Sequence, residues 1–301
     1  MAEWTDRYWN SADGVKLHYR DHDGNRDCPP ILCIPGLTRN ARDFEPVADR
    51  FTGEWRVISI DLRGRGGSAF DPDPANYKPM VYVADILKML DQLGIADAVF
   101  VGTSLGGLCT MALALTDRER IAGALLNDIG PVVDMAGIDR IAGYVGKEAR
   151  FASWDDAVDQ LAARNLDVYP DYTRPEWERF ARRLAREDGP DVVFDYDMRI
   201  ADNFERAATA PEIWPLFQAL DGRPVTILRG ELSDLLSTEV AQRMASEIGD
   251  VELVTVPRVG HAPSFDEPES IAALERLLGR VLEAQKKGAA VAAPFRETGV
   301  A

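Results

Sequence analysis

A serine flanked by glycines is the feature of this sequence with the clearest chemical potential. Residues 102–106 read Gly-Thr-Ser-Leu-Gly, and the serine is Ser104. The apolar residues 98–101 predict a buried strand before it, and apolar residues at helical spacing from Leu108 predict a helix after it. A sharp turn between them would project the Ser104 hydroxyl above a sheet, and the glycines would avoid collisions with neighbouring backbone. The pattern favours a nucleophile over an ordinary glycine-rich turn.

A base is the second requirement of such chemistry, and His261 is the candidate. Residues 259–263 read Val-Gly-His-Ala-Pro and directly follow the last predicted strand. The chain has three histidines, and the other two, His18 and His22, lie in and just after a predicted N-terminal hairpin. We therefore expect His261 to accept the proton of Ser104, because the order serine, acid, histidine is typical of one hydrolase layout.

An acid that orients the histidine would complete the site, and three carboxylates are candidates. Asp234 and Glu231 follow a predicted strand at residues 225–228, and Asp128 follows an earlier one at 124–127. We favour Asp234 because a short carboxylate further along its loop can meet an imidazole, whereas Glu231 adjoins the strand end. In this interpretation Glu231 is an exposed surface acid, and Asp128 is a hinge or capping residue.

The framework that positions these residues is predicted to be a doubly wound α/β fold with a mostly parallel sheet. Short apolar runs without alternation are typical of strands buried on both faces. They occupy residues 31–34, 57–60 and 98–101, and further candidate strands occupy residues 124–127, 225–228 and 251–256. Residues 83–90 repeat at helical spacing, a final helix begins near Pro268, and the Asp-Gly pair at residues 13–14 predicts a β-hairpin. Strands that alternate with helices indicate this fold class.

One long segment interrupts the alternation. Residues 131–215 carry helical signals only, including patterns that resemble capping boxes at Ser153 and Thr173. We interpret the segment as a helical cap on a core formed by residues 1–130 and 216–285. Residues 286–301 lack periodicity and are expected to form a mobile tail.

Aromatic residues of the cap are candidates for the substrate pocket. Trp154 and Trp214 are the two that we assign to an apolar acyl pocket, as alternatives to a place in the core. Trp177 and Phe180 occur at helical spacing, which is more typical of core residues. A cap of this kind would select substrates by acyl size.

The net charge, the apolar segments and the cysteines indicate which partners and which cellular location to expect. The 301 residues carry a net charge of −16, which disfavours nucleic acid and anionic membranes because both would repel the chain. Neither a signal peptide nor a long apolar span is present, which indicates a soluble chain, while a homo-oligomer stays open. Cys28, Cys33 and Cys109 lack paired spacing, so we expect free thiols and a cytoplasmic location. We expect neither a metal nor an organic cofactor.

Three segments together resemble the α/β-hydrolase superfamily, and the likeness extends to about residue 283. They are the serine turn, the late Gly-His-Ala-Pro, and residues 61–68, which read Asp-Leu-Arg-Gly-Arg-Gly-Gly-Ser. The last is similar to the superfamily's D-x-R-G-x-G-x-S loop, which is structural there. The resemblance implies an oxyanion hole made by the backbone N–H groups of Leu37 and Leu105. The sequence departs from the pattern at Pro35, where most relatives have histidine.

The resemblance implies a carboxylesterase-like hydrolase that forms an acyl-enzyme on a small-molecule ester. A lactonase and a carbon–carbon bond hydrolase with the same triad are alternatives, and a non-hydrolytic small-molecule receptor is an alternative from another class. Serine at residue 104 disfavours the dehalogenase and epoxide-hydrolase branches, which place aspartate there. Turnover across esters, lactones and carbon–carbon substrates would discriminate among these possibilities.

Overall fold

Eleven strands occur in the part of the chain that the computed structural model describes, residues 2–203 and 212–292, with side chains through residue 287. They are β1 (Thr5–Asn10), β2 (Lys16–His22), β3 (Ile31–Ile34), β4 (Val57–Ile60), β5 (Ala98–Thr103), β6 (Ile121–Asn127), β7 (Arg150–Phe151), β8 (Ala185–Asp188), β9 (Asp191–Phe194), β10 (Val225–Gly230) and β11 (Val251–Val256). Eight of them form one sheet in the order β1-β2-β4-β3-β5-β6-β10-β11. The sheet is parallel from β4 to β11, and β2 pairs antiparallel with both β1 and β4.

All six predicted strands belong to this sheet. Five of them are almost entirely buried, whereas β11, at the edge, is only partly buried. Successive residues of β3 show the reason: Ile31 and Cys33 pack into one apolar cluster, and Leu32 and Ile34 pack into the other. The hairpin β1–β2 is also confirmed, and Gly14 adopts φ 87° at its turn.

Helices cover both faces of the sheet. They are α1 (Glu45–Phe51), α2 (Pro79–Leu93), α3 (Leu105–Asp117), α4 (Met135–Ala142), α5 (Trp154–Asn165), α6 (Arg174–Leu184), α7 (Trp214–Gln218), α8 (Thr238–Glu247) and α9 (Pro268–Ala292). Residues of α2, α3 and α8 belong to one apolar cluster, and residues of α1 and α9 belong to the other. The fold is therefore doubly wound. In the two described ranges, none of the helices combines the length and apolarity that a bilayer span requires.

The segment between β6 and β10 contains more than the helices that its sequence predicts. Helices α4, α5 and α6 are present, and the Thr173 capping box forms with Glu176. A three-stranded antiparallel sheet in the order β7-β9-β8 lies among them. Its strands have two to four residues, too few for a periodic signal. Residues 204–211 lie outside the described residues.

The C-terminal helix is longer than predicted. Helix α9 continues to Ala292, so the expected mobile tail at residues 286–301 begins inside a helix. Residues 293–301 lie outside the described part of the chain, and the expectation for them stays a prediction.

Candidate active site

Ser104 alone connects β5 to α3, and its backbone is held in a rare conformation. Its φ is 51°, in the left-handed region that residues other than glycine seldom adopt and that costs about 1–3 kcal/mol. The flanking glycines permit the turn. A Cβ on Gly106 would lie 2.1 Å from the carbonyl oxygen of Ile34, and one on Gly102 would lie 2.5 Å from the Gly106 backbone. The geometry predicted for the serine turn is therefore present.

His261 lies on the loop that follows β11 and faces the serine. Its Nε2 atom is 3.0 Å from the Oγ atom of Ser104, which is hydrogen-bonding distance. The His261 side chain is only 8% exposed, so its contact with Ser104 is largely shielded from water. The structure brings together the two residues that the sequence assigned as nucleophile and base.

Two residues from the segment between β6 and β10 hold the histidine loop. The backbone N–H of Gly260 donates a hydrogen bond to the carbonyl oxygen of Val168 at 2.7 Å. The hydroxyl of Tyr169 donates to the carbonyl oxygen of Ala262 at 2.7 Å. These bonds flank His261 on both sides, so the inserted segment helps to fix the position of the imidazole.

Asp128, directly after β6, is the carboxylate that meets His261. Its Oδ2 atom lies 2.8 Å from Nδ1 of His261, and its side chain is fully buried. The hydroxyl of Ser233 donates to the same oxygen at 2.6 Å, and the backbone N–H of Gly230 donates to Oδ1 at 2.9 Å. Two donors besides the imidazole thus fix the carboxylate in place.

The expectation that Asp234 meets the imidazole is not met. Asp234 instead forms a two-pronged ion pair with Arg140, with distances of 2.6 Å and 2.8 Å. Burial would raise the pKa of Asp234, but the hydrogen bond and charge of Arg140 hold it below its ordinary value, and the charge of His261 acts in the same direction. Glu231 is exposed.

The order of the strands explains why Asp128 occupies this place. Strand β6 lies between β5, which carries the serine turn, and β10, which precedes Asp234. The end of β6 is therefore nearer to the turn than the β10 loop is. Both aspartates fall between Ser104 and His261 in the chain, so chain order could not separate them. The useful signal was the position of Asp128 immediately after a buried strand.

The loop after β3 contains Leu37, one of the two residues expected to form an oxyanion hole. In the described part of the chain, neither the N–H of Leu37 nor that of Leu105 donates to a protein acceptor. Arg65, which is fully buried, donates from Nε to the carbonyl oxygen of Leu37 at 2.9 Å. Its Nη1 also donates to the hydroxyl of Tyr82 at 3.0 Å. Sequence reasoning missed this contact, by which residues 61–68 support the loop that contains Leu37.

One pocket is lined by Leu37, Ser104 and His261 together with residues of the inserted segment. Leu161 of α5 and Phe180 of α6 belong to its wall. Phe180 is 7% exposed, so it is a core residue as predicted and also a pocket residue.

The two tryptophans assigned to the pocket do not line it. Trp154 is the first residue of α5 and donates from Nε1 to Glu187 at 2.9 Å. Trp214 is buried, and the guanidinium of Arg243 lies 3.7 Å from the centre of its ring. Trp214 thus has the core position that the sequence left as its alternative. Helical spacing alone does not tell which face of an inserted helix turns toward the sheet.

His18 and His22 lie away from Ser104, in contacts that stabilise the fold. Nδ1 of His18 lies 2.7 Å from Asp61, and Nε2 lies 3.0 Å from Asp6. Burial lowers the pKa of His18, but these two carboxylates outweigh it and raise the pKa above its ordinary value. Burial lowers the pKa of His22. Within residues 2–203 and 212–292, no three His, Cys, Asp or Glu side chains converge in a group that could hold a metal ion.

Comparisons with known proteins give a matching family model and several similar proteins. The sequence model of the alpha/beta hydrolase family matches residues 31–274. A 3-hydroxybutyrate-oligomer hydrolase from Cupriavidus necator is 33% identical over 252 residues, which cover 80% of this chain and 85% of that protein. A 2-(acetamidomethylene)succinate hydrolase from Mesorhizobium japonicum is 26% identical over 245 residues, with 80% and 84% covered. The crystal structure of an α/β hydrolase from Novosphingobium aromaticivorans superimposes with a TM-score of 0.89 at 51% identity, and covers 93% of this chain and 99% of its own.

Proposed function

Because the chain belongs to the α/β-hydrolase family, we propose that it is a serine hydrolase that cleaves carboxylic esters through Ser104, His261 and Asp128. The observation that carries the proposal is the continuous hydrogen-bonded series from Ser104 Oγ to His261 Nε2, 3.0 Å, and from His261 Nδ1 to Asp128 Oδ2, 2.8 Å. Nucleophile, base and orienting acid in this geometry define the triad on unrelated folds.

In the proposed mechanism, His261 removes the proton of Ser104 as the hydroxyl attacks the ester carbonyl. Asp128 accepts the Nδ1–H bond, which leaves Nε2 free to accept the serine proton, and it stabilises the imidazolium that forms. His261 then donates the proton to the leaving alcohol. A water molecule, activated by the same imidazole, hydrolyses the acyl-enzyme and restores Ser104. None of these steps requires a metal or an organic cofactor.

The oxyanion of the tetrahedral intermediate is proposed to accept hydrogen bonds from Leu37 and Leu105. The N–H of Leu105 lies at the start of α3, where the helix dipole favours negative charge. Leu37 belongs to the loop supported by Arg65. Pro35 in place of histidine is compatible with this role because the donors are backbone groups.

The substrate is proposed to be a small ester that enters beneath the inserted segment, which acts as a cap. Leu161 and Phe180 give part of the pocket an apolar wall suited to a short acyl or alkyl group. The relative named for hydrolysis of 3-hydroxybutyrate oligomers supports an ester in particular, because hydroxy acids in an oligomer are joined by ester bonds. A lactone or a carbon–carbon bond beside a carbonyl would use the same residues.

A cytoplasmic location is part of the proposal. All three cysteines are free thiols, and Cys33 and Cys109 are fully buried. Burial raises the pKa of Cys109 to about 12, so its thiol stays protonated and unreactive at neutral pH. A reducing compartment suits such a set of cysteines.

A labelling and turnover experiment tests the proposal. A fluorophosphonate probe should label the protein at Ser104, and Ser104→Ala should lose both the label and the hydrolysis of 4-nitrophenyl butyrate. The ester-linked dimer of 3-hydroxybutyrate, a lactone and a β-diketone should then be compared for kcat/KM. Labelling that persists in Ser104→Ala would overturn the assignment, and absence of turnover on every substrate would favour a receptor.

A further inference from the structure

Most of the charged side chains that line the pocket around Ser104 and His261 are arginines. Its lining contains four arginines and one aspartate, whereas the whole chain has a net charge of −16. The arginines are Arg39, Arg140, Arg164 and Arg183. Both Nη atoms of Arg183 are used by Asp266, at 2.7 Å and 3.1 Å, and exposed Arg164 donates to Gln160. The remaining two arginines have a different arrangement.

Arg39 and Arg140 are each held by one aspartate in the same way. Nε and Nη2 of Arg39 bind Asp43 at 2.7 Å and 2.6 Å, and the same atoms of Arg140 bind Asp234 at 2.6 Å and 2.8 Å. The Nη1 group of each donates to no protein acceptor in the described part of the chain. Each guanidinium is therefore oriented by its aspartate and keeps two N–H donors for a ligand.

Arg39 and Arg140 line the same pocket as Ser104 and His261. A Cβ placed on Gly36 would lie 3.5 Å from Cγ of Arg39 and 3.7 Å from Cβ of Ser104, so both side chains begin close to Gly36. Tyr144 also lines the pocket. Tyr144 is exposed as a whole; burial of its hydroxyl raises the pKa, and the charges of Arg140 and Arg39 act in the opposite direction.

We propose that Arg39, Arg140 and Tyr144 form a subsite for a free carboxylate of the substrate. A carboxylate has two oxygens that accept several hydrogen bonds, and two guanidiniums and a hydroxyl supply donors of matching number. The substrate class is then a short ester that also carries a carboxylate, such as an ester of a hydroxy acid or a monoester of a dicarboxylic acid. This inference rests on the proposed ester hydrolysis at Ser104 and specifies which esters are preferred.

The test compares substrates that differ only in this charge. The ester-linked 3-hydroxybutyrate dimer carries its carboxylate on the leaving-alcohol side, and its primary amide is a neutral analogue with the same scissile bond. Monomethyl glutarate and the methyl ester of glutaramic acid form the corresponding pair with the charge on the acyl side. For at least one pair, kcat/KM should favour the acid by on the order of ten- to a hundredfold.

The variants locate the effect. Arg140→Gln should lower the ratio of acid to amide about tenfold, Arg140→Lys should retain part of it, and Tyr144→Phe should lower it severalfold. Arg56→Gln is the matched control, since Arg56 binds Asp21 in the same two-pronged way, at 2.8 Å and 2.9 Å, and does not line the pocket. The acid-to-amide ratio of kcat/KM for Arg56→Gln should equal that of the wild type.

The outcomes separate this subsite from the hydrolase assignment. Equal turnover of acid and amide in both pairs would overturn the subsite while leaving ester hydrolysis intact. An acid-to-amide ratio that Arg140→Gln and Tyr144→Phe both leave at the wild-type value would do the same, and Tyr144→Phe alone decides if Arg140→Gln does not fold. Failure of the proposed function would look different: no fluorophosphonate labelling of Ser104 and no turnover of acid or amide.

Discussion

Replacement of Asp128 by asparagine should disable the enzyme, whereas the same change at Asp234 should not. The Asp128 carboxylate accepts hydrogen bonds from three donors: the Gly230 N–H, the Ser233 hydroxyl and His261 Nδ1. Asparagine offers one oxygen and one NH2 group in place of two oxygens. If its oxygen stays on Gly230, its NH2 faces Nδ1 and favours the tautomer that carries the proton on Nε2. That tautomer cannot accept the serine proton.

The expected magnitude follows from this change of tautomer. The corresponding substitution in the protease triad lowers kcat by about 10⁴, which is about 5 kcal/mol of transition-state stabilisation. The Asp234 side chain and its partner Arg140 are 32% and 30% exposed, so solvent screens their ion pair to about 0–1 kcal/mol. Asp234→Asn should therefore change kcat by no more than about fivefold.

The assay is the steady-state hydrolysis of 4-nitrophenyl butyrate, a neutral ester on which a carboxylate subsite has no influence. Circular dichroism and thermal unfolding should show that both variants fold, and the fluorophosphonate probe should label Asp128→Asn much more slowly than the wild type. A loss of three decades in Asp234→Asn, with near-native turnover in Asp128→Asn, would refute the assignment of the acid.

Three further predictions concern the surroundings of the site. Arg65→Gln removes a hydrogen-bond donor to the carbonyl of Leu37; it should lower kcat on the order of tenfold to a hundredfold with little change in KM, measured by steady-state kinetics. Phe180→Ala should alter the relative hydrolysis rates of esters with different acyl chain lengths, whereas Trp154→Phe should leave those relative rates unchanged. The opposite result would show that Trp154, and not Phe180, lines the substrate pocket. The raised pKa of His18 means that its stabilising contribution is complete below the ordinary value of 6.5 and is lost as pH rises through the raised value. The difference in unfolding free energy between wild type and His18→Gln, from urea titrations, should therefore shrink from pH 6 to pH 9, and a constant difference would contradict it.

The sheet could be predicted from the sequence because its strands carry a strong signal. Strand β3 is uniformly apolar and β4 is interrupted only by Ser59, a pattern typical of strands buried on both faces. The small sheet of the inserted segment lacks such a signal: β8 reads Ala-Arg-Glu-Asp, and its two middle residues are exposed. It pairs with β9, which follows after residues 189–190, and strands of four residues are too short to show a period.

Some residues of the site could likewise be predicted from the sequence, and others could not. Ser104 and His261 could be assigned because each lies in a short motif at the end of a predicted strand. The choice between Asp128 and Asp234 depended on which strand lies beside β5, and strand order is a property of the whole sheet. The role of Arg65 was hidden for a related reason, since its acceptor is a backbone carbonyl far away in the chain.

The two hydrogen bonds that join the inserted segment to the histidine loop limit how the protein can be redesigned. Val168 and Tyr169 bind Gly260 and Ala262 on either side of His261. The segment that shapes the substrate pocket is thus hydrogen-bonded directly to the loop that holds the general base. A chimaera that takes its whole insertion from another hydrolase must supply an equivalent carbonyl acceptor and hydroxyl donor, or the loop that holds His261 loses two hydrogen bonds. Grafts that keep residues 168–169 and vary α5 and α6 should change the substrate preference while retaining the two hydrogen bonds to the loop that holds His261.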